Sequence, residues 1–134
     1  MTGTPQTVKQ PVDGEVVLTG DAAAIAVPSG QAVTLQDVIW NAAGPNGLTL
    51  RFRFLAPQIA REAGDVDFET ASADMLALCQ TFALPRLAEL GPQPQQIIIS
   101  LADRVVPFGE TSPDATQYFE AYSIENGTCI WEMF

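Results

Sequence analysis

Residues 48–55 alternate with period two: Leu48, Leu50, Phe52 and Phe54 fall on one side and Thr49, Arg51 and Arg53 on the other. Successive side chains of an extended strand point to opposite faces, so this run reads as a strand with one apolar face. Such a strand is stable only with a second layer packed against that face. Asp65–Leu90 supplies a layer, a single long helix. Asp67 suits its N-cap and Glu69 its first turn, where free amides and the helix dipole favour a carboxylate. Phe68, Ala71, Met75, Leu78, Cys79 and Phe82 recur at helical spacing as one apolar stripe. Pro85 interrupts the pattern, because it has no amide hydrogen and its ring crowds the Thr81 carbonyl; a kink or restart is expected there. Gly91, Pro92 and Pro94 stop the helix.

The other segments are short and strand-like. Glu15–Thr19 is a strand stopped by Gly20-Asp21. Ala23–Val27 is a second apolar run, closed by a Pro28-Ser29-Gly30 turn. Val33–Trp40 is rich in β-branched and aromatic residues and reads as a strand, with residues 41–47 as a hairpin loop. Pro57 opens a short helical turn. Gln96–Leu101 reads as a strand buried on much of both faces, and 102–113 as a loop. Asn126-Gly127 is a type I′ hairpin signal, since both central residues need positive φ. Its register sets Glu125 opposite Thr128, Ile124 opposite Cys129 and Tyr122 opposite Trp131. Residues 1–13, with Pro5 and Pro11 and almost no large apolar residue, read as a disordered tail. Residues 14–134 then form a single α+β domain: a mostly antiparallel sheet of five to seven strands with one proline-kinked helix on a face.

Composition removes much chemistry. The 134 residues contain no histidine, which excludes Ser-His-Asp and Cys-His catalysis and histidine-ligated zinc. Lys9 is the only lysine, and it lies in the polar tail. No phosphate-binding glycine motif occurs, and no cofactor or metal is expected. Asp65, Asp67 and Glu69 have the spacing that opens a calcium loop, but Thr70 and Leu76 occupy the positions of its glycine and closing glutamate. A net charge of −10 opposes nucleic acid and anionic membranes. No apolar run is long enough to span a bilayer.

What remains is a short set of candidate sites. Arg51 and Arg53 share a strand face and form a possible clamp for a small anionic ligand or an acidic protein partner, against a solvated or ion-paired face as the plainer reading. Asp103, Arg104, Glu110 and Asp114 crowd one loop; Asp103 and Arg104 join Arg51 and Arg53 as candidate binding residues, while paired carboxylates there would suit a small hydrolase, against a solvated loop as the plainer reading. Cys79 on the helix stripe and Cys129 on the hairpin face meet if the hairpin packs on the helix, giving either a disulfide or two buried thiols. Asn126-Gly127-Thr128 fits a glycosylation sequon but reads first as the hairpin turn. The tail resembles the tether that follows a cleaved leader. It points to a periplasmic or secreted protein, with a cytoplasmic one as the alternative.

Several runs resemble a family of small bacterial proteins of unknown function, some of which carry the name acetolactate synthase. They are Val27-Pro28-Ser29-Gly30, Arg51-Phe52-Arg53-Phe54, Cys79–Leu87, Ile99–Arg104, Phe119–Tyr122 and Cys129–Glu132. The resemblance covers roughly residues 27–134 and implies one small domain, often behind a leader; it implies no known activity, so no catalytic residues carry over. The enzyme name does not suit a chain of this size: Gly20-Asp21 is followed by Ala22, not by the glycine of a thiamine diphosphate motif. The expected function is a non-enzymatic exported domain binding a ligand or protein. A carboxylate-dependent hydrolase and a structural subunit of an envelope complex are the alternatives.

Overall fold

The computed structural model describes residues 14–41, 48–60, 64–90, 93–110 and 112–132. The expected 1–13 tail and the centre of the 41–47 loop lie outside them. Six strands form one sheet in chain order: β1 (Val16–Thr19), β2 (Thr34–Asn41), β3 (Thr49–Leu55), β4 (Gln96–Ala102), β5 (Gln117–Glu125) and β6 (Thr128–Glu132). All neighbours are antiparallel except β3 and β4. That pair is parallel because the helix connects them, and the chain must return to the starting end of β3 before re-entering the sheet. The fold is α+β.

The alternation in β3 does what its pattern demands. Leu50, Phe52 and Phe54 are fully buried, beside Val38 and Trp40 of β2, Ile97, Ile99 and Leu101 of β4, and Tyr122 of β5. Burying each large apolar side chain stabilises the fold by about 1.5–3 kcal/mol. The helix covers this face with Ala71, Met75, Leu78, Cys79, Ala83 and Leu87. Phe68 departs from the expected stripe: it is 46 % exposed and meets Tyr118 edge-on at 5.1 Å. The stripe instead takes in Asp74, which is fully buried.

Helix α1 (Phe68–Leu78) starts as expected, with the Asp67 carboxylate accepting from the Thr70 amide at 2.9 Å. The expected break at Pro85 takes a particular form. Residues Cys79–Ala83 make a wide π-turn, and Leu84 N–H donates back to the Cys79 carbonyl. The wide turn takes the hydrogen-bond ladder out of register one residue before proline would clash with it. The helix resumes at Leu84–Arg86 and ends in a tight turn over Leu87–Glu89. The Trp40 indole N–H donates to the Leu90 carbonyl at 3.2 Å and ties this end to β2.

The turns follow their chemistry. Asn126 and Gly127 have φ of 51° and 72°, and the β5–β6 register is the one expected. Gly30 has φ 79° after Val27-Pro28-Ser29, and its amide donates to the Val27 carbonyl. Gly20 is needed for space: an added Cβ would stand 1.7 Å from the Leu35 carbonyl oxygen. Ala23–Val27 is not a strand. The 20–26 segment leaves the edge of the sheet and is held at its two ends, by Gly20 N–H to the Gln36 carbonyl and Ile25 N–H to the Val33 carbonyl.

Candidate functional site

Arg51 and Arg53 share the sheet face away from the helix, but their surroundings differ. Arg53 makes a two-pronged pair with Asp37 of the adjacent strand, Nε and Nη2 at 2.6 and 2.7 Å from the two carboxylate oxygens. Its Nη1 donates to the Val106 carbonyl at 2.8 Å, and the Phe108 ring lies 5.4 Å from its guanidinium carbon. These contacts fasten the 103–116 loop to the sheet. The Arg51 Nε is buried and has no hydrogen-bond partner. Burial first, and the Arg53 charge second, lower the Arg51 pKa from its ordinary value. Ile39 and Ile98 flank Arg51 across the strands, and Phe119 and Ile130 stand 63 % and 40 % exposed further along the sheet.

The loop acids are less open to chemistry. The Asp103 carboxylate accepts from Arg104 Nη2 and from the Thr116 amide, both at 3.0 Å. The Arg104 hydrogen bond first, and the Thr116 amide with it, hold the Asp103 pKa below the usual carboxylate value despite burial. A general acid needs the opposite shift.

The cysteines meet. Their sulfurs lie 2.08 Å apart, at disulfide-bonding distance, and join the π-turn to β6. Gln80 reinforces the junction: its Oε1 accepts the Cys129 amide at 3.0 Å and its Nε2 donates to the Gly127 carbonyl at 3.2 Å. Above them Glu120 bridges the Ser72 hydroxyl and the Trp131 indole N–H. Burial first, and then the Glu120 charge, raise the Tyr122 pKa above its ordinary value.

One concavity shares no residue with the arginine pair, the loop acids or the cysteines. A groove of about 510 Å³ opens between the 20–26 segment and the π-turn of the helix. Its walls include Leu18, Ala24, Ile25, Leu35 and Phe82, and the polar side chains at it are Thr19, Asp21, Thr81 and Arg86. The Arg86 guanidinium carbon lies over the Phe82 ring, 3.6 Å from its centroid, and Nη1 donates to the Phe82 carbonyl at 2.9 Å. That bond satisfies a carbonyl at the interrupted part of the helix. Arginine carries five N–H donors, and among the described residues the other four have no hydrogen-bond partner. Arg86 has no carboxylate within ion-pair distance among the described residues. Asp21 uses one oxygen on the Ala23 amide at 3.0 Å, and Thr81 spends its hydroxyl hydrogen on the Ala77 carbonyl at 2.8 Å.

Residues 9–134 match a family of unknown function (DUF6497). The chain belongs to that family. No curated protein and no solved structure matches this DUF6497 chain. No function is named by the comparisons, so any role must be argued from the geometry of this member. Among the described residues no group of histidine, cysteine, aspartate or glutamate is arranged to hold a metal ion, and no helix is long and apolar enough to cross a membrane.

Proposed function

We propose that the chain is an exported, non-enzymatic binding domain whose ligand site is the groove between the 20–26 segment and the helix. The observation that carries this reading is Arg86. In a chain of net charge −10, an arginine backed by an aromatic ring stands in a concave site of mixed polar and apolar lining, with one of its donors spent on the Phe82 carbonyl. The groove volume falls in the range of small-molecule sites, about 300–1,000 Å³. Export draws support from the cysteine pair, because disulfides persist in oxidising compartments. In the hydrolase alternative Asp103, held ionised by Arg104 and the Thr116 amide, does not fill the general-acid role.

The test is thermal stabilisation by a small-molecule library, compared between wild type and Ala24→Trp. Ala24 is exposed and lines the groove, so the indole fills the site without entering the core. Compounds that raise the wild-type Tm and leave the variant unmoved support the reading. Equal stabilisation of both proteins places binding elsewhere, and no stabilisation by any compound contradicts a small-molecule role.

A second reading concerns the opposite sheet face. Arg51 and Arg53 on the sheet face that also carries exposed Phe119 and Ile130 favour an acidic protein partner there. Capture from native extract that is lost in Arg51→Ala, with the fold intact, would support it.

A further inference from the structure

We infer that the groove takes an apolar monocarboxylate, its carboxylate on Arg86 and its hydrocarbon along Ile25, Leu35 and Phe82. This rests on the groove being the ligand site.

Three features of the site select that chemistry. First, Arg86 is geometrically prepared. Stacking on Phe82 and the bond to the Phe82 carbonyl fix the guanidinium plane, so little side-chain freedom is lost on binding. The unspent donors of a planar guanidinium match two carboxylate oxygens side by side. Second, among the described residues Arg86 is the only cationic side chain at the groove, while Asp21 lines the same groove. One positive group neutralises one negative charge; a phosphate dianion would keep a surplus charge beside Asp21. Third, the rest of the lining is chiefly small and apolar, from the alanines of the 20–26 segment to Leu18 and Leu35. Burying hydrocarbon there supplies affinity, and the charge pair fixes its direction.

The experiment measures octanoate, octanol and octylamine binding to wild type by titration calorimetry at neutral pH, each below its aggregation limit. Octanoate is expected to bind at least about tenfold more tightly than octanol, the ratio one charge-assisted contact supplies, and octylamine more weakly than either. Arg86→Met keeps an apolar side chain over Phe82, so it should bind octanol as wild type does and lose the preference for octanoate. Octanoate binding no tighter than octanol overturns the inference, as does an Arg86→Met protein that keeps the preference. If Arg86→Met does not fold, the wild-type ratio decides alone. The groove reading fails separately. Library compounds that stabilise wild type but not Ala24→Trp, together with no octanoate preference, leave the groove as a site and remove the carboxylate. Absence of any groove ligand removes both.

Discussion

Replacing Arg53 by alanine strips Asp37 of both hydrogen bonds from that guanidinium and leaves the Val106 carbonyl with Gln36 Nε2 as its side-chain donor. Both partners of that pair are largely buried, with side chains 11 % and 14 % exposed, so the loss leaves a charge in a poorly solvated place. Arg53→Ala is expected to cost about 2–3 kcal/mol, read as a lower urea midpoint at unchanged slope. Arg51→Ala removes a guanidinium that burial already disfavours and whose Nε has no acceptor. It should leave the midpoint unchanged or raise it. Equal losses in the two variants would contradict this assignment. The sequence placed both arginines on one face correctly. It did not distinguish them, because the partner of Arg53 depends on strand register. That register shifts between Leu35 and Asp37, and no local residue pattern announces the shift. Asp74 was equally hidden. It accepts from the Ser29 amide at 3.0 Å and from Gln31 Nε2 at 2.7 Å, so its burial is set by a turn 45 residues earlier. Its place between Ala71 and Leu78 on the stripe was the available signal.

At the scale of elements, the features with local causes were legible. Leu48–Leu55 alternates, Asp67 caps, Asn126-Gly127 turns, and each behaves as its chemistry requires. The π-turn was legible only as a disturbance at Pro85, since the choice between a kink and a widened turn depends on what packs around the helix. Its consequence reaches the groove, because the turn sets Phe82 and Arg86 against the 20–26 segment. Cys79, in the same turn, joins β6 across a separation of 50 residues. A cross-link of that span stabilises by about 4 kcal/mol in a chain-entropy account. Cys79→Ala with Cys129→Ala is expected to lower unfolding free energy by about that amount, measured by urea denaturation, and a loss under 1 kcal/mol would contradict it. The 103–116 loop carries a pH dependence. The Asp103 pKa is lowered in the fold, so its contribution is present above the unfolded value of about 3.9 and fades as pH falls below it. Asp103→Asn should therefore be less stable than wild type at pH 6, with the gap in Tm narrowing towards pH 2.5. A gap that stays constant across this range would contradict the assignment.

The whole molecule is an acidic sheet-and-helix protein with a covalent tie between its layers and a groove at one end of the helix. The groove was not legible in the sequence. Its two walls lie roughly half the chain apart in sequence, the 20–26 wall is built mainly of alanines, and nothing local to Arg86 marks it as part of a site. Export belongs to this scale too. Protein isolated from its native cells and unfolded without reductant should show no free thiol; two free thiols would remove the support that the cysteine pair lends to an oxidising compartment. The central claim, that the groove is the working site, is tested most directly by mapping amide chemical shifts of the labelled protein during titration with octanoate. The account predicts changes concentrated at Ala23–Ile25, Thr81, Phe82 and Arg86, with the Arg51 face unmoved. Changes centred on Arg51, Phe119 and Ile130, or none anywhere, would contradict it.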